Sequence, residues 1–497
     1  MASLLTNAQR NAVAGLLGVF PVADDLGLRF GAAGHALHLV GGSVRDALLG
    51  RLGADLDFAT DARPERILQL VDGWAEAVWT TGIAFGTVGA QREGLRLEIT
   101  TYRADSYDQV GRRPVVTYGE RLENDLVRRD FTVNAMAVSL PEHQFVDPYG
   151  GLADIAAKRL RTPARPEDSL IDDPLRMMRA ARFASQLKFE VDGGLIAAMT
   201  AMSNEIRRIS VERVREELSK LICGANPRAG LELLVTTGLA NAVLPELPAL
   251  RMEIDEHHQH KDVYDHTLIV LEQAIALEGG VLEGDGLEGQ GRPDLVLRLA
   301  ALLHDIGKPA TRRKEAGGGV SFHHHEGVGA KLARRRLTAL RYPNDVVDQV
   351  AKLVFLHLRF HGYGKGEWTD SAVRRYVTDA GNLLDRLHKL VRADCTTRNK
   401  RRAAALARSY DSLEDRIAAL REREELDAIR PDLDGQQVMT LLGIGPGRPV
   451  GEALQHLLAL RMEHGPLGTD RATEELLRWA KDRDVEPSPP AADADLQ

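Results

Sequence analysis

A chain of 497 residues has room for about three domains and for large buried cores. Its 44% apolar and 27% charged residues exclude a wholly disordered, collagen-like or coiled-coil protein, and no stretch reaches the ~18 apolar residues a membrane-spanning helix needs. The two cysteines, Cys223 and Cys395, are too few for a disulfide framework and fit a reducing compartment such as the cytoplasm; the net charge of −8 does not mark a nucleic-acid binder but leaves room for a local basic face.

The segment from Ala12 to Phe20 reads as an amphipathic helix and lacks the basic run and cleavage site of a signal peptide. Residues 36 to 160 are mixed α/β. Leu37–Val40 is a short strand ending at Gly41-Gly42, a helix follows over Val44–Leu49, and Asp55–Thr60 is a second strand. Ala84–Ala90 and Leu95–Tyr102 alternate with period two, and the polar stretch from Arg103 to Asn124 reads as a mobile loop. From about residue 165 the periodicity becomes helical, through Leu175–Phe183, Gly194–Met202 and Val211–Leu221. Gly279–Gly291 reads as an exposed insertion, and Glu486–Gln497 as a disordered tail. The expected fold is α+β: an α/β head with a mixed sheet, then an all-α body. The expected segments are 1–160, 161–245, 246–425, 426–485 and the tail 486–497.

Asp55 and Asp57 carry the clearest chemistry. Residues i and i+2 of a strand share a face, and two adjacent carboxylates repel unless a cation lies between them. Mg²⁺ suits such oxygens, and paired ions suit in-line phosphoryl or nucleotidyl transfer. Upstream, the Gly41-Gly42-Ser43 turn and Arg45 could hold a triphosphate. Glu98, on the strand Leu95–Tyr102, is either a third carboxylate or a solvent-facing strand residue.

These residues belong to longer patterns. Leu39-Val40-Gly41-Gly42-Ser43-Val44-Arg45-Asp46, followed by Asp55-Leu56-Asp57-Phe58, resembles the first motif of class II tRNA nucleotidyltransferases and bacterial poly(A) polymerases. Arg128-Arg129-Asp130-Phe131-Thr132-Val133-Asn134-Ala135 is similar to the second motif. Asp172-Asp173-Pro174-Leu175-Arg176 through Phe183 resembles the nucleotide-selecting motif, and Ile209–Leu218 the helix after it. Asp172 stands where the family usually has Glu. The resemblance implies a nucleotidyltransferase head over 1–160, a nucleotide-selecting and RNA-binding neck over 161–245, CTP, ATP and tRNA as partners, and no DNA or membrane. It gives Arg129 a triphosphate or base contact; the alternative is a fold-stabilising pair. The stretch around Glu98 is more similar to CCA-adding members than to those adding only A.

The selecting motif has its own physical logic. Cytosine and adenine both present an amino donor beside a ring-nitrogen acceptor, whereas uracil and guanine present the reverse. Ionised Asp only accepts and Arg only donates. Asp173 and Arg176, three apart on one helix, would offer the pattern that C and A need, and Arg179 and Arg182 continue the stripe. The competing reading is a salt-bridge ladder on a solvated helix.

Eleven of the sixteen histidines lie between His257 and His388. His304-Asp305, with His266 and Asp394 on other helices, supplies imidazole and carboxylate ligands for a divalent metal such as Mn, Fe, Ni, Co or Mg. Leu303-His304-Asp305-Ile306-Gly307-Lys308 resembles HD-domain phosphohydrolases, which implies an HD domain over 246–425. His325 and His357 either complete a second metal position or are ordinary buried histidines; His257, His258 and His260 read as surface residues. Arg392, Arg398, Lys400, Arg401, Arg402 and Arg408 form the best basic patch for phosphate contacts, or a solvated helix face. Asp434–Ala480 resembles the family's C-terminal helical region, implying an RNA-binding segment over 426–485. The leading reading is a CCA-adding tRNA nucleotidyltransferase with an HD domain. The alternatives are a poly(A) polymerase, an enzyme adding only C or only A, an HD hydrolase with a vestigial head, and a non-catalytic RNA-binding scaffold.

Overall fold

The structure, a computed structural model, describes residues 15, 21–51, 53, 55–104, 117–119, 121–252, 262–278, 293–315, 320–360, 368–396, 400–424 and 429–485. The helix expected at Ala12–Phe20, most of the 103–124 loop, the Gly279–Gly291 insertion, the tail, Arg398 and His257, His258 and His260 lie outside these residues or in them only in part. The chain divides into two compact units, Met1–Pro245 and Glu246–Gln497.

The first unit is built on a sheet. Its strands are β1 (Leu37–Val40), β2 (Asp55–Thr60), β3 (Ala77–Trp79), β4 (Thr87–Arg92), β5 (Leu95–Thr101), β6 (Arg103–Ala104), β7 (Thr117–Tyr118), β8 (Ala137–Leu140) and β9 (Phe145–Val146). β6 and β7 pair with each other, and the remaining seven form one sheet in the order β3-β4-β5-β2-β1-β8-β9. Among these neighbours β2 and β5 run parallel and the others antiparallel, so the expected mixed sheet is present. Leu37, Leu39, Leu56, Phe58, Leu97 and Ile99 alternate onto one face and bury against Val22, Leu26, Phe30, Ile67 and Leu70 of the helices Pro21–Ala32 and Pro64–Val71. Ala59 faces the other side, in a smaller cluster with Val40, Tyr102, Leu122 and Leu126. By the same alternation Asp55 and Asp57 share that second side.

Two boundaries differ from expectation. The helix after the glycine turn spans Gly42–Leu48, and the strand expected from Ala84 begins at Thr87 because Ile83–Phe85 close a 3-10 turn. Helices Leu175–Leu187, Val211–Ile222 and Pro227–Thr236 follow, the first packed against the other two. The body is helical as expected, with two small exceptions: Arg159–Leu160 pairs with Glu190–Val191, and Arg313–Lys314 with Val320–Ser321.

In the second unit, helix Leu295–Leu303 is apolar nearly all round, and Val296 through Leu303 are buried, as befits a central helix. Around it stand Val263–Leu277, Asn344–Leu356 and Leu384–Ala393, while His325–Ala339 packs on Asn344–Leu356. The last three helices, Gly435–Leu442, Arg448–His464 and Thr469–Asp482, close on their own core of Leu433, Val438, Ala453, Leu457, Leu476 and Trp479. Arg374 ties these parts together. It is 4% exposed, forks onto Glu424 at 2.6 and 3.0 Å, and donates to the carbonyls of Met462 and Glu463 at 3.2 Å. Arg374→Ala leaves a buried carboxylate and two carbonyls unpaired, so chemical denaturation should show a loss of about 3–5 kcal/mol. Arg374→Lys, which lacks the planar fork, should recover only part of it.

Candidate active site and metal centre

The catalytic candidates lie where β2 begins, against the glycine turn. Gly41 has a φ of 72°, a region that favours glycine, and a Cβ there would stand 2.8 Å from Arg129 Nη1 and 3.6 Å from Asp57 Oδ2. The bare backbone thus admits the guanidinium beside the carboxylate. Ser43 Oγ donates to the carbonyl of Asp55 and accepts from the amide of Asp57, both at 3.2 Å, which fixes the turn to the strand. The parallel register sets Asp57 opposite Glu98 and Asp55 opposite Arg96. Burial raises the Asp57 pKa to about 6; Arg129 opposes the rise, and the neighbouring Glu98 and Asp55 add to it. Glu98 therefore belongs to the carboxylate cluster electrostatically.

A cavity of about 430 Å³ opens from Asp57 and Gly42 to Asp173 and Arg176, with Arg45, Arg129, Arg179, Arg182 and Arg213 also in its wall. A second cavity, about 300 Å³, shares Asp57, Arg129 and Arg176 and adds Arg103 and Arg128. Such arginine-rich walls around a carboxylate suit a polyphosphate and its cation. Arg129 donates to Asp125 at 3.1 Å, yet its Nε is buried without a hydrogen-bond partner, so the pairing and ligand readings are compatible. Arg45 is held by Asp46 at 2.7 and 2.9 Å and donates to Asn134.

The selecting helix is not the solvated ladder. Asp173 does not lie on the helix with Arg176 as expected but just before it, in extended backbone that ends the helix Pro166–Asp172; the Arg176 amide donates to the Asp173 carbonyl at 3.0 Å, while its guanidinium donates to Ser169 Oγ at 2.6 Å, to the Ser169 carbonyl at 3.1 Å and to the Arg128 carbonyl. Asp173 accepts from the Leu175 amide at 3.1 Å and from Arg213 at 2.9 Å. Arg179 forks onto Asp130, and Arg182 reaches Glu217 at 2.6 Å. Asp130 is fully buried. Burial alone would raise its pKa, but Arg179, Asn134 and the Phe131 amide outweigh that and lower it. Sequence reasoning did not single out Ser169, Asp130, Asn134, Phe183, Arg213 or Glu217. All but Ser169 carried a signal: Asp130 and Asn134 lie in the second motif, Phe183 in the selecting motif, and Arg213 and Glu217 in the helix after it.

In the second unit His266 Nε2, His304 Nε2, Asp305 Oδ2 and Asp394 Oδ1 converge. His266 lies 3.0 Å from Asp394, 3.3 Å from His304 and 3.5 Å from Asp305; His304 lies 3.2 Å from Asp305 and 3.5 Å from Asp394. These are edge lengths expected around a divalent cation with bonds of about 2.0–2.2 Å. The rings are aimed by their other nitrogens, His304 Nδ1 toward the Ala301 carbonyl at 2.8 Å and His266 Nδ1 toward Thr396 Oγ1 at 3.0 Å. The donor set thus fits a divalent metal, and His325 and His357 form a second metal-compatible group with Asp305. Burial opposes charge on both carboxylates, yet His304, Lys308 and the surrounding donors hold Asp305 and Asp394 well below the usual range. Of the basic patch, Arg392 is paired with Asp411 at 2.8 Å and Glu414 at 3.0 Å.

A glycine-turn sheet carrying paired carboxylates, joined to an arginine-lined helical wall, defines a nucleotidyltransferase. Residues 37–161 match the poly A polymerase head domain, 188–250 the probable RNA and SrmB-binding site of polymerase A, and 263–420 the HD domain. The A-adding tRNA nucleotidyltransferase of Deinococcus radiodurans is 34% identical over 89% of this chain and 95% of its own. The CC-adding enzyme of Thermus thermophilus is 33% identical over 90% and 95%. The Bacillus stearothermophilus CCA-adding enzyme in complex with CTP superposes with a TM-score of 0.67 at 24% identity, covering 94% of this chain and 99% of that one. The chain belongs to the tRNA nucleotidyltransferase and poly(A) polymerase family, with an HD domain, and is a nucleotidyltransferase. No described helix is long and apolar enough to cross a membrane.

Asp57 gives a pH test. Its folded pKa, about 6, lies above the ordinary carboxylate value, so a proton competes with a divalent cation below that pH and the ionised form is strained above it. Raising the cation concentration tenfold should move the acid limb of nucleotide addition down by up to about one pH unit. Without metal, Asp57→Asn should raise the Tm at pH 7.5 and not at pH 4, and in the presence of the cation it should abolish addition; an acid limb indifferent to cation concentration would contradict the assignment.

Proposed function

We propose that this chain adds C, C and A to the 3′ end of tRNA without a template, from CTP and ATP, with release of pyrophosphate. The observation that carries the reading is one cavity whose wall includes both Asp57 and the pair Asp173 and Arg176. Divalent ions, in this reading Mg²⁺ held by Asp55 and Asp57 with Glu98 adjacent, would neutralise charge during in-line displacement. Arg45 and Arg129 bind and orient the triphosphate. Asp173 and Arg176 read the base. Three of the five Arg176 donors are used by Ser169 and Arg128, which leaves a fixed edge for a ring-nitrogen acceptor. Asp173 keeps lone pairs for an amino donor. Arg179 and Arg182 hold the helix to Asp130 and Glu217 and complete the cationic wall.

A second reading is favoured by the relatives. Both full-length relatives named above divide the work, one adding A and the other CC. Purified protein, a tRNA lacking its 3′ end and each labelled nucleotide in turn distinguish complete from partial addition. Asp55→Ala should lower addition by at least ~10³-fold. Asp173→Ala should admit UTP or GTP, or lose CTP and ATP together. Ser169→Ala should loosen Arg176 and reduce discrimination about tenfold with a smaller change in rate, and Ser169→Thr should restore it. Unchanged discrimination in both variants would make the pair structural only.

The segments follow the same reading: catalytic head to residue 160, selecting neck to 245, HD domain to 425 and a C-terminal RNA-binding region to 485. His266, His304, Asp305 and Asp394 would hold a divalent metal that activates water for phosphate-ester hydrolysis. The double variant His304→Ala with Asp305→Ala should lose bound metal and any phosphodiesterase activity yet keep nucleotide addition; loss of addition from a folded variant would refute that separation.

A further inference from the structure

The second cavity, about 300 Å³, carries more positive charge than the fold itself uses. Four guanidinium groups stand in its wall, from Arg103, Arg128, Arg129 and Arg176, against two carboxylates, Asp57 and Asp125. Asp125 is engaged by Arg129 at 3.1 Å, and Arg176 is held by Ser169 and the Arg128 carbonyl. Little is left for Arg103. Its Nη2 reaches Thr87 Oγ1 at 3.4 Å, and its Nε is buried without a hydrogen-bond partner among the described residues. Burial lowers its pKa; Asp125 opposes that, and Arg128 and Arg129 add to it. A half-buried guanidinium that is repelled by its neighbours and short of acceptors is stabilised by an anion.

The place of the cavity in the fold narrows the choice of anion. The first cavity contains both the glycine turn and the pair Asp173 and Arg176, so a whole incoming nucleotide is accounted for there. The two cavities meet at Asp57, Arg129 and Arg176. In an in-line displacement the attacking hydroxyl arrives on the side of the phosphorus opposite the departing pyrophosphate. The second reactant therefore needs its own seat across the shared carboxylate. Thr100, in the wall of the second cavity, follows Glu98 by two residues on β5 and shares its sheet face, and Glu98 lies opposite Asp57 in the register. The seat thus opens beside the third carboxylate. Thr87 Oγ1 also lies 2.9 Å from Thr100 Oγ1, so the hydroxyl that reaches Arg103 is itself fixed to this row.

We propose that Arg103, with Arg128, binds the phosphodiester that precedes the terminal nucleotide of the RNA acceptor, and so holds the 3′ hydroxyl at Asp57. This deepens the tRNA reading above and rests on it. The contact is to the backbone and carries no sequence information, so it serves an acceptor end whichever base was added last.

The test uses the full chain, the nucleotide it accepts, and a tRNA made with either a normal or an uncharged methylphosphonate linkage before its terminal nucleotide. In the wild-type chain the neutral linkage should lower kcat/KM for the tRNA about 10–100-fold, the range for a lost hydrogen bond to a charged group. Arg103→Ala should cause a similar loss with the normal linkage and little further loss with the neutral one, because both changes remove the same contact. The KM for the nucleotide should stay within about twofold. Arg103→Lys should recover part of the loss, since it keeps the charge without the fork. Losses that simply add overturn the proposal. So does a wild-type chain indifferent to the neutral linkage. A rise in KM for the nucleotide, or for pyrophosphate in the reverse reaction, with the tRNA parameters unchanged would assign Arg103 to the triphosphate instead. A wild-type chain that extends no tRNA overturns the tRNA reading and this inference together. Should Arg103→Ala unfold, Arg103→Gln, which keeps a polar tip without the charge, takes its place, and the wild-type comparison of the two linkages stands by itself.

Discussion

A single buried carboxylate sets the geometry of the nucleotide cavity. Asp130 takes the Arg179 fork on Oδ2, and its Oδ1 accepts the Phe131 amide at 2.8 Å and the Asn134 amide group at 2.9 Å. Asn134 in turn accepts from Arg45. Through four side chains the glycine-turn end of the cavity is thereby registered against the helix Leu175–Leu187. A buried ion pair of this kind is weak evidence for stability, because desolvation offsets much of the attraction. Its value lies in direction. Removing one partner leaves a charge stranded, so few other arrangements of helix and sheet can compete.

The cavity itself follows the opposite rule. Asp57 sits beside Glu98 and Asp55 with its charge only partly compensated, and the buried Nε of Arg129 has no partner. These are groups whose satisfaction comes from a ligand. The fold supplies the distance between them and withholds the last partner, because a site fully paired by its own side chains would have to break those pairs to bind a nucleotide. The structural arginines, Arg179 and Arg182, are paired with Asp130 and Glu217, whereas the two proposed readers, Asp173 and Arg176, retain unused acceptor and donor capacity.

What was legible in the sequence depended on separation along the chain. The shared face of Asp55 and Asp57 follows from strand period alone. The His304-Asp305 pair and the helices around it were readable from composition and periodicity, as was the change from sheet to helix near residue 160. The third carboxylate was ambiguous because its place opposite Asp57 depends on β2 pairing in parallel with β5, a tertiary fact that no local pattern encodes. Ser169 was missed because a serine in the middle of a short polar helix, here Pro166–Asp172, ordinarily bonds its own backbone or faces water; here it meets a guanidinium seven residues on. Arg213 and Glu217, on Val211–Ile222, pair with Asp173 and with Arg182 of the preceding segment; the resemblance covers their helix, but their spacing alone shows only an amphipathic surface and not these partners.

The two centres differ in how they treat water. In the head, Asp55 is exposed, Asp57 half-buried, and arginines surround an open cavity, so ions and small ligands can enter and leave it. Around Asp305 the donors are buried, and hydrogen bonds from Nδ1 to backbone carbonyls aim three of the rings. Exchange there would require opening a packed helical layer. A centre of the first kind has to be weakly satisfied when empty, which is why its carboxylate pKa rises. A centre of the second kind can accumulate stronger internal attraction, which is why its carboxylates are driven down instead. Burial pushes both carboxylates up; at Asp57 the Arg129 guanidinium offsets this only in part while Glu98 and Asp55 add to it, whereas at Asp305 His304, Lys308 and the hydrogen bonds outweigh it.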